Sequence, residues 1–288
     1  MKTYLEIVQK ILREGKTKKS RHGGTTKSIS GMVYEHDSSK GFPLLTTKYV
    51  PFKIVASELE FFIKGKTTKE WLQKRNNTIW DEWCNPKKVP YGHDEETKQA
   101  MKEEKDLGPI YGFQWRHFNA EYKGPNKDYK GKGVDQLKNI VETLKENPSS
   151  RRMIVSAWNP EQQPQMALPP CHLEFQVIVT NNKLDLLWRQ RSVDVMLGLP
   201  FNIASYALLQ HLLCKETGYE PGKLIGFLGD THIYSEHVEG AKKQAERTTL
   251  PLPNIKTPSF TTIYDWEYTD TKIIGYEHHP HISFDIAV

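Results

Sequence analysis

The sequence predicts an α+β domain in which helices are layered on a mixed, mostly antiparallel sheet. Two strand-like segments, residues 173–180 and 184–191, are separated only by Asn181-Asn182, which indicates a hairpin. Amphipathic helical patterns, such as that of residues 134–144, occur along the same chain. Strands and helices do not alternate as regular βαβ units, and the sequence has no internal repeat. We therefore expect one domain over residues 1–288, with a polar insertion at about 84–133.

The N-terminal part of the chain predicts two helices and two strands. Apolar residues recur at helical spacing from Tyr4 to Leu12, and Gly15 stands where a helix can end. Residues 28–34 are typical of a strand, and residues 41–48 of a turn into another strand. A proline can begin the next helix, which we expect over residues 51–65.

The middle of the chain alternates between polar and apolar stretches. A helix from Lys69 leads to the polar segment 84–106, which we interpret as a surface insertion. Residues 107–118 are apolar again, and residues 119–133 form a second polar loop. A clean amphipathic helix follows, and Asn147-Pro148 ends it.

The C-terminal half contains the predicted hairpin and one helix that is apolar on nearly all sides. Such a helix is expected to lie buried against a sheet. The further elements that we predict are a strand at 153–158, the apolar helix at 203–217, a short buried strand at 224–227, a surface helix at 238–247, and strands near 273–274 and at 282–288.

Composition indicates an ordinary globular protein that favours anionic ligands. The 288 residues are 37% hydrophobic and 26% charged, and the formal net charge is +5. The three cysteines lack the spacing of metal ligands and cannot all pair, so we expect no metal and a reducing, cytoplasmic location. The chain has no apolar signal region and no run of membrane-spanning length, so we expect no membrane.

Cys171 is the strongest candidate for a reactive group. A lone cysteine is most often a small buried hydrophobic residue. Here Pro169 and Pro170 restrict the backbone before it, and His172 follows. Arg191 ends the paired strand of the hairpin, and a nearby cation favours the thiolate over the thiol. The pattern favours a nucleophile that acts on an anionic substrate.

Several basic and polar segments could bind a phosphate, although each signal is weak alone. The loop Ser20–Thr26 combines glycines with an arginine. Lys16–Lys19 is a basic cluster that we interpret as a solvated loop. Arg151 and Arg152 enter a strand and should be solvated unless a partner brings a phosphate. Near the end of the short strand, His232 and Tyr234 should project to the same side.

Aromatic residues and carboxylates mark a second region of interest. Trp80 and Trp83 lie on either side of two acidic residues, and either a core position or a platform for a flat ligand would explain them. Glu58 and Glu60 are two residues apart in a predicted helix, so they should point to different faces. We expect Glu60 to point outward into solvent.

Together these segments resemble the thymidylate synthase family over nearly the whole chain. The resemblance rests on long segments: Phe42–Lys48, Ile79–Trp83, Pro148–Arg152, Ala167–His172, Gln190–Ser192, Leu199–Leu208 and Gly229–Tyr234, together with the loop at Arg21. It implies a homodimeric methyltransferase of nucleotide biosynthesis. Such an enzyme converts dUMP to dTMP with 5,10-methylenetetrahydrofolate as co-substrate, and it requires no nucleic acid.

The resemblance also implies roles for residues that would bind dUMP. The Cys171 thiolate would add to C6 of uracil, which turns C5 into a nucleophile. The side-chain amide of Asn202 would contact O4 and N3–H of the base. The other residues implied at the nucleotide are Arg21, Arg191 and Ser192 at the phosphate, Arg151 and Arg152 at the phosphate of the partner subunit, His232 and Tyr234 at the ribose hydroxyl, and His172, Gln190 and Asp194.

A further set would serve proton transfer and the folate. Glu58 matches a glutamate that organises water, and Tyr111 matches a tyrosine implicated in removing the C5 proton. Asp194 would hydrogen-bond the pterin. The other residues implied at the folate site are Ile79, Trp80, Trp83, Leu168, Leu197, Gly198, Phe201, Ala287 and Val288.

Several positions depart from the usual family pattern, among them His22–Thr25, Tyr49 and Pro51, and three of them leave other functions open. Glu60 and Phe61 stand in the sequence Glu-Leu-Glu-Phe, which is similar to a segment of a phage deoxycytidylate hydroxymethylase, and Arg189 replaces a tyrosine. In a hydroxymethylase, water instead of hydride captures the methylene group. A noncatalytic nucleotide- or RNA-binding protein on the same fold is the remaining alternative.

Overall fold

The computed structural model of the protein describes residues 1–20 and 24–285. Its helices are α1 Lys2–Glu14, α2 Phe52–Ile63, α3 Lys69–Gln73, α4 Glu95–Glu103, α5 Tyr111–His117, α6 Gln136–Glu146, α7 Gly198–Thr217 and α8 Val238–Ala245. Its strands are β1 Lys16–Lys19, β2 Thr25–Asp37, β3 Ile154–Ser156, β4 His172–Thr180, β5 Lys183–Asp194, β6 Glu220–Tyr234, β7 Asn254–Lys256 and β8 Lys272–Ile274.

A six-stranded sheet in the order β1-β2-β6-β5-β4-β3 organises the fold. Strands β5 and β6 run parallel, whereas the pairs β1–β2, β2–β6, β4–β5 and β3–β4 are antiparallel. A parallel pair needs a long crossover connection, and the 20 residues of α7 provide it. Strands β7 and β8 form a separate antiparallel pair. The prediction of an α+β fold with a mixed, mostly antiparallel sheet is confirmed.

One face of the sheet carries the core, and a single row of side chains across the strands shows this. Tyr34, Gly226, Trp188, Phe175 and Val155 lie opposite one another in register. Apart from the glycine, each of these residues is fully buried. A Cβ atom on Gly226 would lie 2.3 Å from Cζ2 of Trp188, so the indole occupies the space that only a glycine leaves. Helix α7 covers this face, as its apolar surface predicts.

The predicted hairpin forms with the expected turn. Asn181 and Asn182 have φ angles of 49° and 62°, the left-handed conformation that a tight two-residue turn needs. Asparagine tolerates this conformation better than most residues. The turn pairs β4 with β5 and so brings His172 opposite Gln190. The hairpin therefore places the end of β5 beside the start of β4, where Cys171 lies.

The structure corrects several local predictions. Lys16–Lys19 is an exposed edge strand paired with β2 rather than a loop. Residues 41–48 form no strand, and the polypeptide there is irregular but mostly buried. Strand β6 has 15 residues and one solvent-facing side, so the prediction of a short buried strand is wrong. Residues 282–285 form no strand, and residues 286–288 lie outside the described residues.

The polar region 84–133 contains more structure than its composition indicates. Helix α4 lies within it, and isolated bridges join Thr68 to Asp106 and Phe118 to Val134. That residues 1–288 form one domain with an insertion at about 84–133 stays a prediction. Among the helices of the described ranges, none is both long and apolar enough to cross a membrane.

Candidate active site

A cavity of about 420 Å³ lies at the carboxyl ends of the parallel strands β5 and β6. Because these strands are parallel, their ends meet at one edge, where Ser192 lies opposite Asp230 and Asp194 opposite His232. The cavity brings together these candidate residues from the sequence: Trp83, Leu168, Cys171, Arg191, Ser192, Asp194, His232 and Tyr234.

Arg191 holds the cysteine segment against the end of β5. Its Nε donates to the carbonyl oxygen of Pro170 at 2.8 Å, and its Nη2 donates to that of Pro169 at 2.8 Å. The same Nη2 lies 3.8 Å from Sγ of Cys171. The backbone N–H of Arg191 also donates to the carbonyl of Cys171 at 2.8 Å. One side chain thus fixes the loop and places a cation at the sulfur.

Three buried aromatic residues support Cys171 from the other side. The hydroxyl of Tyr111 accepts a hydrogen bond from the backbone N–H of Cys171 at 2.8 Å. The ring of Tyr111 stacks on His172 with a centroid distance of 4.2 Å. Nδ1 of His172 forms a hydrogen bond of 2.7 Å with the hydroxyl of Tyr206. Burial lowers the pKa of His172 to about 3, so this imidazole is neutral at physiological pH.

Glu58 is placed to exchange a proton near neutral pH. Burial raises the pKa of its carboxyl group from 4.5 to about 7, although a hydrogen bond from the Trp80 indole opposes this shift. That bond, from Nε1 to Oε1, measures 2.8 Å. Trp80 in turn packs edge-on against Tyr111, with a centroid distance of 6.0 Å. A carboxyl group with a pKa near the working pH can both give and take a proton.

A hydrogen-bond relay from the core orients Asn202. The indole Nε1 of Trp188 donates to Oε1 of Gln190 at 3.1 Å, and Nε2 of Gln190 donates to Oδ1 of Asn202 at 2.9 Å. An indole N–H can only donate, so it fixes which end of each amide faces which neighbour. Nδ2 of Asn202 makes no hydrogen bond to residues 1–20 or 24–285, so it can donate to a ligand.

Asp194 joins the cavity to the turn that begins α7. Its Oδ1 accepts hydrogen bonds from the backbone N–H groups of Met196 at 2.8 Å and Leu197 at 3.1 Å. Lys48 lies beneath it and donates to the carbonyl of Met196 at 2.5 Å. Burial lowers the pKa of Lys48 to about 8, against the opposing influence of the Asp194 charge. His237 faces the other oxygen of Asp194, with Nδ1 to Oδ2 at 3.9 Å.

The remaining candidate residues lie away from the cavity wall. Tyr111 contacts the lining residue Cys171, and Nε2 of Gln190 donates to the carbonyl oxygen of Ser192 at 3.2 Å. His172 and Asn202 contact Tyr111 and Gln190 in turn. These four residues contribute no atoms to the cavity wall, and the same holds for Glu58, Ile79, Trp80, Leu197, Gly198 and Phe201. Arg151 and Arg152 are exposed beside the edge strand β3, and no ion pair of the described residues includes them. Arg21, Ala287 and Val288 lie outside the described residues.

Glu60 is buried, so the prediction of an outward, solvated position is wrong. Its side chain is 0% exposed and forms ion pairs with Lys64 at 2.7 Å and with Arg75 at 3.4 Å. The backbone N–H of Tyr268 adds a hydrogen bond of 3.3 Å. These cations compensate the buried charge. Because its oxygens face this cluster, Glu60 contributes nothing to the cavity wall.

Sequence reasoning did not place Lys18, Lys19 or Asp230 at the site, although all three line the cavity. Ser20 and Thr26, the ends of the proposed phosphate loop, and Pro169 line it as well. Nζ of Lys18 pairs with Oδ2 of Asp230 at 2.5 Å. The basic run at Lys16–Lys19 was the available signal, but only its pairing with β2 shows that it borders this cavity. No cluster of three or more potential metal ligands is found in the described part of the chain.

The raised pKa of Glu58 predicts a pH-dependent stability difference for Glu58→Gln. The folded protein binds this proton more tightly than the unfolded chain, so wild-type stability is lost as pH rises from about 4.5 to about 7. Glutamine carries no such proton. We expect the variant to gain stability relative to wild type across this window, by roughly 1–3 kcal/mol at pH 8.

Urea unfolding at pH 5, 6, 7 and 8 measures this difference. The matched control is Glu96→Gln, because Glu96 is an exposed carboxylate on α4. We expect its difference from wild type to stay constant over the same range. A constant difference for Glu58→Gln would show that the carboxyl group is not perturbed in the fold.

Two comparisons with known proteins show to which family the chain belongs. A sequence profile described as thymidylate synthase matches residues 2–288. A bifunctional dihydrofolate reductase-thymidylate synthase from Paramecium tetraurelia is 45% identical over 290 residues. The match covers 99% of this chain and 61% of the relative, so the chain spans about three fifths of that protein's length. The chain belongs to the thymidylate synthase family.

Proposed function

We propose that this chain catalyses the reductive methylation of dUMP to dTMP, with 5,10-methylenetetrahydrofolate as co-substrate. The observation that carries the proposal is the convergence of Cys171, Arg191, Ser192, His232 and Tyr234 on one cavity. A nucleophile, a guanidinium and hydroxyl-binding groups at one strand edge suit a nucleoside monophosphate. The proposal concerns the synthase activity and not the dihydrofolate reductase activity that the name of the Paramecium relative includes.

Cys171 is the nucleophile of the proposed reaction. Its thiolate adds to C6 of uracil, the C5–C6 double bond opens, and the electron pair moves to O4 as an enolate. C5 then attacks the one-carbon unit. The guanidinium of Arg191, 3.8 Å from the sulfur, supports the anionic form of this nucleophile.

Asn202 reads the base in this proposal. Its Nδ2 donates to O4, where negative charge develops, and its Oδ1 has a second lone pair that accepts from N3–H of uracil. Cytosine has no proton at N3 and carries an amino group at C4, so it fits this arrangement poorly. The bonds from Trp188 through Gln190 support the role, because they hold the amide in one orientation before dUMP binds.

The phosphate and ribose of dUMP fit the wall formed by the ends of β5 and β6. Arg191 uses Nε and Nη2 for the cysteine segment, which leaves its Nη1 hydrogens for the phosphate. Ser192 adds a hydroxyl, and Arg21 is proposed as a second guanidinium. His232 and Tyr234, whose ring centroids lie 5.1 Å apart, are proposed to bind the ribose hydroxyl.

The co-substrate supplies the one-carbon unit and the hydride. Trp83 and Leu168 give the cavity an apolar wall that suits a flat pterin and excludes water. Asp194 is proposed to hydrogen-bond the pterin, and Glu58 and Tyr111 to move protons near the base. The proposal extends the folate site to Ile79, Trp80, Leu197, Gly198, Phe201, Ala287 and Val288.

The position of Glu60 favours the synthase over a hydroxymethylase. A second carboxylate beside Glu58 could have activated water at the methylene group. Instead its oxygens are bound by Lys64, Arg75 and the backbone of Tyr268. Glu60 is therefore not available as a base that would activate water to compete with the hydride for the methylene group.

We also infer a homodimer in which the outer sheet faces meet. Val33, Phe227 and Ile154 are 52%, 44% and 44% exposed on this face. Exposed apolar side chains on one sheet face are typical of an interface. Arg151 and Arg152 stand at the edge of the same sheet without a carboxylate partner among the described residues, so they are suited to a phosphate in the neighbouring subunit. We infer a cytoplasmic location from the buried free thiols Cys84 and Cys214.

Product analysis tests the proposed reaction. The protein, dUMP and methylenetetrahydrofolate should yield dTMP and dihydrofolate in equal amounts, measured by mass spectrometry and by the absorbance rise of dihydrofolate. Cys171→Ser should lower turnover by more than about a thousandfold, because a serine hydroxyl is scarcely ionised at neutral pH.

The binding of dUMP provides the control for that variant. Cys171→Ser retains the shape of the site, so its affinity for dUMP should stay close to wild type in calorimetry. Turnover within tenfold of wild type would refute the covalent role of Cys171. A yield of 5-hydroxymethyl-dUMP with tetrahydrofolate left unoxidised would replace the synthase by a hydroxymethylase.

Subunit mixing tests the shared site. Arg152→Ala removes a residue proposed to act in the neighbouring subunit, and Cys171→Ala removes the nucleophile of its own subunit. A heterodimer of the two variants has one intact site of two. After random exchange, half of the dimers are mixed, so about a quarter of wild-type activity should return. Absence of recovery despite demonstrated exchange would rule out a site completed by Arg152.

A further inference from the structure

The polar insertion is firmly attached to the domain at Asp106. This carboxylate is 1% exposed and pairs with Nζ of Lys88 at 3.0 Å. Its Oδ1 accepts from the hydroxyl of Tyr122 at 2.5 Å and from the backbone of Gly108 at 2.7 Å. The amide of Asn85 donates to Oδ2 at 3.3 Å. A buried charge with four partners fixes both ends of residues 85–106.

The first loop of the insertion follows a defined path. The backbone N–H of Lys88 donates to the carbonyl of Asn85 at 2.9 Å, and the side chain of Asn85 accepts from the backbone of Lys87 at 3.0 Å. Sγ of Cys84 donates to the carbonyl of Val89 at 3.7 Å. This turn directs the chain back towards Trp83 and places Tyr91 beside it.

Tyr91 stacks on Trp83, which lines the cavity. The two rings are nearly parallel, with an interplanar angle of 7° and a centroid distance of 6.1 Å. His93 packs edge-on against Tyr91 at 5.0 Å. Tyr91 itself is 46% exposed, so it is not an ordinary core residue. Its ring lies against the side of Trp83 that faces the insertion.

The two tryptophans of this region are held in different ways. The indole N–H of Trp80 is hydrogen-bonded to Glu58. The indole N–H of Trp83 makes no hydrogen bond to residues 1–20 or 24–285, although Trp83 is half-buried. The orientation of Trp83 therefore depends on packing, to which the hydrophobic core on one hand and the stacked ring of Tyr91 on the other contribute.

We propose that Tyr91 is a positioning residue for the reduced folate, acting through Trp83. By stacking on one side of the indole, Tyr91 holds the opposite side at the cavity wall, where a pterin or its aromatic extension can pack. The polar insertion thus becomes part of the co-substrate site. This inference rests on the proposed function, because it assumes that a folate occupies this wall.

Steady-state kinetics of the full chain test the proposal. Tyr91→Ala should raise KM for methylenetetrahydrofolate roughly three- to tenfold, the effect that loss of one aromatic pair produces. Its kcat and its affinity for dUMP alone should stay close to wild type, because Tyr91 contacts neither Cys171 nor the nucleotide wall. Tyr91→Phe retains the ring and should restore the wild-type KM. Lys98→Ala, at an exposed position on α4, is the matched control and should leave every parameter unchanged.

A double-mutant cycle separates positioning from support of the insertion. In a Trp83→Ala background, Tyr91→Ala should cause no further rise in KM, because the residue through which it acts is absent. The same rise in both backgrounds would overturn the proposal. If Tyr91→Ala does not fold, Tyr91→Leu keeps apolar bulk without a stacking ring and should show the same KM effect. An active wild type with an unchanged KM in these variants would overturn this inference alone, whereas an inactive wild type would overturn the proposed function and this inference with it.

Discussion

The arrangement of the site depends on the contacts between Arg191 and the segment that carries Cys171. The guanidinium donates to the carbonyl oxygens of both Pro169 and Pro170. The same side chain places its Nη2 at the sulfur, while its backbone bonds to Cys171. The fork geometry of arginine makes these contacts simultaneous, which a point charge could not do. Arg191 therefore determines both the position of the Cys171 sulfur and the positive charge beside it.

The parallel pairing of β5 and β6 then determines which side chains surround Cys171. It brings Ser192, Asp194 and His232 to the same edge of the sheet, so groups 40 residues apart in the sequence share one cavity. Helix α7, which the parallel pairing requires as a crossover, begins at this edge and carries Asn202. The core residue Trp188 orients Asn202 through Gln190, so the packing of the core influences the residue that is proposed to read the base.

Local patterns predicted much of this, and long-range contacts account for what they missed. The Asn181-Asn182 turn and the apolar surface of α7 were readable because each reflects its own segment. The burial of Glu60 was not, because Arg75 and Tyr268 reach it from elsewhere in the chain. Polar composition likewise gave no signal for the contact between the insertion and Trp83, because the turn near Asn85 is what brings Tyr91 to that ring. The site residues themselves remain proposals, because their roles rest on geometry and on family resemblance.

Turnover of Arg191→Lys at saturating dUMP tests the central claim most directly. Lysine keeps the positive charge for the phosphate and the sulfur, but it cannot donate to both proline carbonyls in the geometry of the guanidinium. If Arg191 holds the cysteine segment, kcat should fall by roughly a hundredfold or more, the scale expected for a displaced reacting atom, even when dUMP is saturating. A kcat within tenfold of wild type, with only a raised KM for dUMP, would show that Arg191 supplies charge alone and would contradict this account.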